Sequence, residues 1–271
     1  MQGATTYPLF DPASSADDLH AIIPEHLCVG ATADPFLYGG SGFAACIAAM
    51  ERITDQPAIF ATVQFVSKGR KGDLITFTPD QCSGGKSVKQ CRLTARISDQ
   101  PFAYLVGAAG QRPDPTLHQG RRAPLLPSPE QSAERSVARQ ISSNLNALFE
   151  FRLAQGQLPD RRDWRGETGQ DVAYWIRLRS GAALTRLDLA VIADCASLAL
   201  PSALGRPASG NSLDNMIRFA GDTPGEWVLA HMHVASIQHG VAHINTHLYS
   251  QTGAVLAIAS QSMLLREAPP V

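Results

Sequence analysis

The chain has 271 residues, of which 44% are hydrophobic and 17% are charged. This composition predicts a folded globular protein with one large core or two smaller ones, and it excludes extended disorder. The formal net charge of −1 excludes a general attraction to nucleic acid or to an anionic membrane, because such partners require a concentrated basic surface. We therefore expect no nucleic-acid partner and no membrane partner.

The cysteines form an odd set without a C-x-x-C pair, and several lie in apolar runs where a free thiol packs like a small hydrophobic group. They are Cys28, Cys46, Cys82, Cys91 and Cys195. Residues 1–18 lack the basic segment and apolar core of a secretory signal, and no apolar run approaches the roughly 18 residues that span a bilayer. These features predict free thiols and a cytoplasmic location.

Residues 38–52, YGGSGFAACIAAMER, predict a helix made almost entirely of small residues. Phe43, Ile47 and Met50 recur at helical spacing on one face, so this lean helix can approach a sheet closely. Four segments with strand-like patterns follow and predict an antiparallel meander: 58–66, 73–82, 87–98 and 102–111. A helix followed by such a meander is an α+β unit.

Prolines, a glycine and paired arginines crowd residues 112–132, which predicts an extended linker. The order of elements then begins again. The second half predicts strands from Phe149 and over residues 171–179, a helix from about Asp194 to Leu204, and a strand from about Ser212.

Residues 226–266 predict three consecutive antiparallel strands, with turns at residues 238–240 and 251–253. The repeated order of elements at an offset of about 150 residues favours a duplicated domain. We expect an N-terminal unit over residues 1–111, a Pro-rich linker over residues 112–140 and a C-terminal unit over residues 141–271.

Several segments resemble the acyl-CoA thioesterase II family. They are FLYGGSGFAACIAAM in the first half, and WIRLR, LAVIADCASLAL, NSLDNMIRF, GEWVLAHMHVAS and YSQTGAVLAIASQSMLLR in the second. The resemblance implies an α+β double hotdog fold, in which two tandem units each hold a central helix wrapped by a curved antiparallel sheet. It also implies hydrolysis of fatty acyl-CoA to free acid and coenzyme A, without a cofactor.

The resemblance also implies a catalytic set, because the family uses an Asp at the start of the second central helix, a Thr or Ser at the start of the next strand and a Gln at the end of the last strand. The matching residues are Asp194, Ser212 and Gln261. Asp194 would take a proton from water, and the other two would orient that water. Water attack is favoured because the sequence lacks a G-x-S-x-G nucleophile motif. Gly40 aligns with Asp194 in the first half, so the second equivalent site is predicted to have lost its chemistry.

Other roles remain open for these residues. Asp194 could cap a helix, Ser212 could be a turn residue, and Gln261 could be a polar residue at a strand end. Asp214 is a second candidate for the acid.

Five residues are candidates for binding the substrate. Gly39 and Gly40 would expose backbone N–H groups at a helix start, where a carbonyl oxygen can be bound. Lys68, Arg70 and Lys71 lie in the short region that holds all four lysines, so they could bind the phosphates of coenzyme A. A solvated surface explains the basic residues equally well.

Four histidines, His231, His233, His243 and His247, alternate along two strands and could gather at a metal. We expect no metal, because no Asp, Glu or Cys lies in the same strands to complete the ligands.

A hotdog hydratase is disfavoured, because the residue five positions after Asp194 is not His. A catalytically silent acyl-CoA-binding protein is the main alternative. Self-association is expected from exposed sheet edges.

Overall fold

The computed structural model of the protein describes residues 19–30, 33–111, 116–135, 145–157, 164–169, 171–221 and 224–267. The remaining parts of the predicted linker, residues 112–115 and 136–140, lie outside the described residues. The described part contains fifteen strands: β1 (His20–Ile22), β2 (Cys28–Val29), β3 (Phe36–Leu37), β4 (Ala58–Phe65), β5 (Leu74–Gly84), β6 (Val88–Ile97), β7 (Gln100–Gly110), β8 (Ala133–Glu134), β9 (Phe149–Gln155), β10 (Val172–Leu178), β11 (Ala208–Ser212), β12 (Asp214–Phe219), β13 (Val228–Gln238), β14 (Val241–Ser250) and β15 (Val255–Glu267).

Thirteen of these strands form one large sheet within the described residues. Its order is β1-β5-β6-β7-β4-β12-β15-β14-β13-β10-β9-β8, with β11 also pairing β15. The strand pairs are antiparallel. Strand β12 pairs with β4, so one sheet runs continuously from the first half of the chain into the second.

The first helix, α1 (Gly39–Thr54), confirms the helix predicted from small residues. Phe43, Ile47 and Met50 are fully buried, and the helix packs against β4, β5, β6 and β7. It ends at Asp55, whose φ of 50° places this residue in the left-handed region and reverses the chain.

The described residues of the second half form three short helices, α2 (Leu145–Leu148), α3 (Arg186–Ala193) and α4 (Leu200–Leu204). A 3-10 segment, Asp194–Ala199, joins α3 to α4. The prediction that a helix begins at Asp194 is therefore wrong: the helix begins earlier, where Thr185 and Asp188 form a capping box. Proline at position 201 cannot donate an N–H to the carbonyl four residues earlier, which favours the break between the helices.

The segment Arg186–Leu204 is long and apolar enough to pass as a membrane span by length and composition. This segment is an exception to the expectation that no apolar run approaches the length of a membrane span. The segment is mostly buried inside the protein, because α3 packs against α1 and against β12, β14 and β15. Burial in the core accounts for its apolar composition.

The predicted C-terminal meander is confirmed as β13, β14 and β15. Its first turn contains His239 and Gly240 with φ values of 51° and 75°. Two consecutive positive φ values are typical of the tight turns whose twist matches antiparallel strands. The meander buries one face against α3 and the 3-10 segment that follows it.

Part of the predicted linker packs on the sheet. Trp175 and Trp227 belong to a small hydrophobic cluster that Ala123 and Leu126 of this segment cover. The Trp175 Nε1–H donates to the Pro127 carbonyl at 2.8 Å. The segment then forms a 3-10 turn, Pro129–Gln131, before reaching β8.

The expectation of free thiols does not hold for two of the five cysteines. Cys82 and Cys91 form a disulfide. They lie directly opposite each other on β5 and β6, with a Cα–Cα separation of 4.2 Å. Their pairing follows the register that continues from the turn between the two strands, where Ser83 pairs with Gln90 and Gly84 with Lys89. Cys28, Cys46 and Cys195 are free.

Candidate functional site

Three polar side chains from distant parts of the chain meet at one buried point. Ser212 Oγ donates to Asp194 Oδ1 at 3.0 Å. The Gln261 side-chain amide donates through Nε2 to Ser212 Oγ at 2.7 Å and also to Asp194 Oδ1. Asp194 and Gln261 are each only 3% exposed. The structure thus brings together all three residues of the predicted catalytic set.

Each of the three occupies a different local position from the one that the sequence predicted. Asp194 follows the last residue of α3 and begins the 3-10 segment, so it ends a helix rather than beginning one. Ser212 is the last residue of β11 and not the first of a strand. Gln261 lies in the middle of β15 opposite Ile244, because that strand continues to Glu267.

Two further groups bind the Asp194 carboxylate. The backbone N–H of Gly40 donates to Oδ2 at 2.7 Å, and Asn215 Nδ2 donates to Oδ1 at 3.3 Å. Asn215 is fully buried on β12, and it is not among the residues that the sequence predicted for the site. Asn215 and Ile217 lie two residues apart on the buried face of the strand. This alternation is the sequence signal that indicates a buried position for Asn215.

Gly39 and Gly40 allow α1 to approach Asp194 closely. A Cβ atom at Gly39 would lie 2.8 Å from Asp194 Oδ2, and one at Gly40 would lie 2.8 Å from both Asp194 Cβ and the Val191 carbonyl oxygen. Ordinary side-chain carbons do not approach other atoms this closely. The paired glycines therefore have a packing role at the contact between α1 and the end of α3.

Burial raises the pKa of Asp194 to about 6, although hydrogen bonds from Ser212, Gln261, Gly40 and Asn215 act in the opposite direction. Desolvation disfavours the charged carboxylate, whereas donors favour it. A carboxyl group with a pKa near 6 can exchange a proton near neutral pH, as a general base requires. The neighbouring Cys195 is a poor nucleophile, because burial raises the pKa of its thiol to about 12.

The side-chain oxygens of Gln261 and Asn215 are buried and have no partner among the described residues. The orientation of the Gln261 amide follows from its two neighbours, since Asp194 Oδ1 and Ser212 Oγ both accept from Nε2. Gln261 Oε1 is thus an acceptor at the site to which no group in the described part of the chain donates. A polar ligand such as water could donate to it.

A cavity of about 320 Å³ reaches this cluster. Asp194 and Ser212 line it together with Gly39, Lys68, Phe65 and Met263. Most of the lining is apolar, with a few polar groups at the Asp194 end, which is the usual composition of a pocket for a small organic ligand.

The structure separates the five predicted substrate-binding residues. Gly39 and Lys68 line the cavity, and the Lys68 ammonium lies 4.9 Å from the centre of the Phe36 ring. Gly40 instead gives its N–H to Asp194. Arg70 and Lys71 form exposed ion pairs with carboxylates outside the cavity, Asp34 and Glu25.

Asp214, the second candidate for the acid, has a different partner: its Oδ1 accepts from the Ser262 N–H at 2.6 Å. Two of the four histidines share one carboxylate, and a third has a different partner. His231 and His233 contact Asp171, and His243 contacts Ser262. Across the described part of the chain, no group of three or more His, Cys, Asp or Glu residues could hold a metal ion.

The sequence and the fold were compared with known proteins. Residues 121–265 match the family model for the acyl-CoA thioesterase C-terminal domain, which is 145 of the 271 residues. The chain belongs to the acyl-CoA thioesterase family. This membership confirms the resemblance that the sequence motifs carried. No curated protein matches the sequence of this thioesterase-family chain.

Solved structures of similar fold cover nearly the whole chain. A proposed thioesterase from Novosphingobium aromaticivorans is 25% identical with a TM-score of 0.84, and the match covers 96% of this chain and 100% of that one. A hot dog fold protein of unknown function from Alicyclobacillus acidocaldarius is 18% identical with a TM-score of 0.75 and coverages of 97% and 96%. A tesB protein from Mycobacterium avium subs paratuberculosis is 17% identical with a TM-score of 0.74 and coverages of 93% and 94%. This thioesterase-family chain therefore has a hotdog-type fold.

Proposed function

We propose that the protein hydrolyses fatty acyl-CoA thioesters to free acids and coenzyme A. The observation that carries this proposal is the contact of Asp194 with Ser212 and Gln261 at the wall of a mostly apolar cavity. Membership of the acyl-CoA thioesterase family supports the same reaction. The cavity would hold the thioester, with its carbonyl carbon beside the Asp194 cluster.

In the proposed mechanism Asp194 takes a proton from a water molecule that attacks the thioester carbonyl. Gln261 Oε1, which has no donor among the described residues, would accept the second hydrogen of that water and fix its direction. Ser212 keeps its hydroxyl between the Asp194 carboxylate and the Gln261 amide. When the tetrahedral intermediate collapses, the C–S bond breaks and Asp194 returns its proton to the departing sulfur, which leaves as the thiol of coenzyme A.

Negative charge develops on the carbonyl oxygen as water attacks, so a donor is needed there. Gly39 is the first residue of α1 and lines the cavity. Its backbone N–H lies at the positive end of a 16-residue helix. We assign the oxyanion to this N–H, because the next one, on Gly40, is bonded to Asp194.

For the architecture we propose a double hotdog, with units over residues 1–111 and 141–271 joined by a linker over residues 112–140. The packing of α1 on β4–β7 and of α3 on β12, β14 and β15 supports two helix-on-sheet units. The continuous pairing of β4 with β12 would then join their sheets. A cytoplasmic location, a role in fatty acid metabolism and self-association remain predictions.

The test is to follow thiol release from short, medium and long acyl-CoA esters with the wild type and with Asp194→Asn. We expect hydrolysis by the wild type and a loss of roughly 10²–10⁴-fold in the variant, which is the range that general bases contribute. Asp214→Asn is the matched control, because it removes a nearby carboxylate that bonds to the Ser262 backbone instead. No hydrolysis by the wild type would overturn the enzymatic function, and an active Asp194→Asn would overturn the assigned base.

One observation favours the silent acyl-CoA-binding alternative. The Asp194 carboxylate already accepts hydrogen bonds from four protein groups, and each of them stabilises the carboxylate and weakens it as a base. A non-hydrolysable thioether analogue of acyl-CoA separates the two functions. Calorimetric binding of the analogue, without thiol release from any thioester, would support the alternative.

A further inference from the structure

A second cavity, of about 200 Å³, lies beside the first. The two cavities share Val29, Tyr38 and Ser197 in their linings. The second cavity is otherwise walled mainly by apolar side chains, which include Leu145, Phe149 and Phe151. A cavity of about 150 Å³ is large enough for benzene, so this space has room for the end of an acyl chain.

Tyr38 forms part of the partition between the two cavities. It precedes α1 as its N-cap, and its ring lies over Gly40, where a Cβ atom would be 2.7 Å from Tyr38 Cε1. Its hydroxyl donates to Cys195 Sγ at 3.5 Å, which is a weak hydrogen bond to sulfur. Cys195 lines only the second cavity, so this bond holds the ring across the boundary.

Arg135 is the one charged residue in the lining that the structure describes for the second cavity. Its guanidinium carbon lies 5.9 Å from the centre of the Phe151 ring. Three other arginines near this edge of the sheet, Arg152, Arg177 and Arg179, each pair with a glutamate. Among the described residues, Arg135 has no carboxylate partner.

A guanidinium beside an apolar cavity discriminates between the possible ends of an acyl chain. A methyl end would displace water from the guanidinium without replacing its hydrogen bonds, which is unfavourable. A carboxylate end would accept charge-assisted hydrogen bonds from the planar guanidinium, and two at once where the geometry allows. The cavity walls would contact the methylene groups between the thioester and that end.

We propose that the second cavity receives the far end of the acyl group past Tyr38, and that Arg135 makes the protein selective for acyl groups that end in a carboxylate. The substrate class is then the mono-thioester of coenzyme A with a short dicarboxylic acid. This proposal rests on the proposed thioesterase function. Tyr38 would then determine the length of the acyl chain, and Arg135 would determine which chain end is preferred.

The experiment compares substrates of equal length that differ only at the far end. Succinyl-CoA is compared with butyryl-CoA, glutaryl-CoA with valeryl-CoA, and adipoyl-CoA with hexanoyl-CoA. For each substrate kcat/KM is measured by thiol release. For at least one length we expect the wild type to prefer the carboxylate-ended substrate by tenfold or more. Arg135→Met should abolish that preference.

Arg152→Met is the matched control, since Arg152 also lies over an aromatic ring, that of Trp227 at 5.4 Å, but does not line the cavity. This variant should keep the wild-type preference. Tyr38→Ala removes the partition, and the length of the preferred carboxylate-ended chain should then change. Thermal unfolding of each variant identifies any loss of folded protein.

The outcomes separate the two proposals. A wild type that prefers the methyl-ended substrate at every length, or an Arg135→Met variant that keeps the preference for carboxylate ends, overturns this inference while the thioesterase function stands. If no substrate in the series, including acetyl-CoA and longer acyl-CoA esters, is hydrolysed by the wild type, the thioesterase function fails and this inference fails with it.

Discussion

The backbone N–H of Gly40 donates a 2.7 Å hydrogen bond to the Asp194 carboxylate across a sequence separation of 154 residues. The bond fixes the N-terminal end of α1 against the C-terminal end of α3, and it orients the carboxylate by its Oδ2 atom. Oδ1 is left to bind Ser212, Gln261 and Asn215. The proposed catalytic base is therefore held by both halves of the chain.

Replacing Gly40 by Ala should damage this contact. The new methyl group would lie 2.8 Å from the Val191 carbonyl oxygen and from Asp194 Cβ, so the helices must separate. Overpacking of this kind costs about 1–3 kcal/mol of unfolding free energy, and the displaced carboxylate should slow thiol release. Gly85→Ala is the control, because a Cβ atom there meets nothing within 4 Å. Equal urea midpoints and equal rates for the two variants would contradict the assignment.

The pH dependence of kcat/KM should follow the ionisation of Asp194. Burial raises the pKa of this residue to about 6, and only the carboxylate can accept a proton from water. We expect kcat/KM to rise about tenfold per pH unit below pH 6 and to level off above it. Glu51→Gln serves as the control, since burial also raises the pKa of Glu51 but this residue lies in the last turns of α1. A profile without a limb near pH 6 in the wild type would argue against Asp194 as the base.

The same raised pKa predicts how stability depends on pH. The pKa of Asp194 rises from 3.8 to about 6 on folding, so the native state holds this proton in a pH range where the unfolded chain releases it. The stabilisation of the native state that this proton provides is fully present below pH 3.8. It is lost as the pH rises through 6, and the unfolding free energy then falls by an amount on the order of 3 kcal/mol. Asp194→Asn lacks this ionisation. The difference in unfolding free energy between wild type and Asp194→Asn should fall from pH 4 to pH 6.5, and a constant difference would contradict the prediction.

Periodicity predicts correctly the helices and strands whose own residues show the apolar spacing of that element. The small residues and the Phe43, Ile47 and Met50 spacing mark α1, and alternation marks the strands of the C-terminal meander. The sequence predicts a helix start at about Asp194, whereas α3 begins at Arg186. The capping pair Thr185 and Asp188 is a short local signal that apolar periodicity does not use.

The candidate site was only partly predictable, because its parts come from distant segments. Motif similarity selected Asp194, Ser212 and Gln261. Asn215 and the Gly40 N–H emerge only when β12 and α1 are placed against α3. The cross-strand contact of Cys82 with Cys91 likewise depends on the register of β5 against β6, which is a property of the paired strands and not of either strand alone.

Ser212 should be replaceable by Thr but not by Ala. Its hydroxyl donates to Asp194 and accepts from Gln261, and Thr keeps that hydroxyl. A lost hydrogen bond to a charged group costs about 1.5–3 kcal/mol, so Ser212→Ala should lower kcat/KM by roughly 10–150-fold. Ser212→Thr should stay within a few-fold of the wild type. Equal activities of the Ala and Thr variants would show that the hydroxyl has no role.

Asn215→Asp should shift the pH profile rather than simply remove activity. Asn215 Nδ2 lies 3.3 Å from Asp194 Oδ1 and is fully buried. An aspartate of nearly the same shape would replace a donor with a second carboxyl group, and two carboxyl groups this close raise the pKa of one of them. We expect the limb of kcat/KM near pH 6 to move to higher pH and the rate at neutral pH to fall. Asn215→Ala, which removes the donor without adding a charge, should produce a smaller shift. If Asn215→Asp and Asn215→Ala lower the rate equally and leave the limb in place, Asn215 affects only the packing of the site and not the ionisation of Asp194.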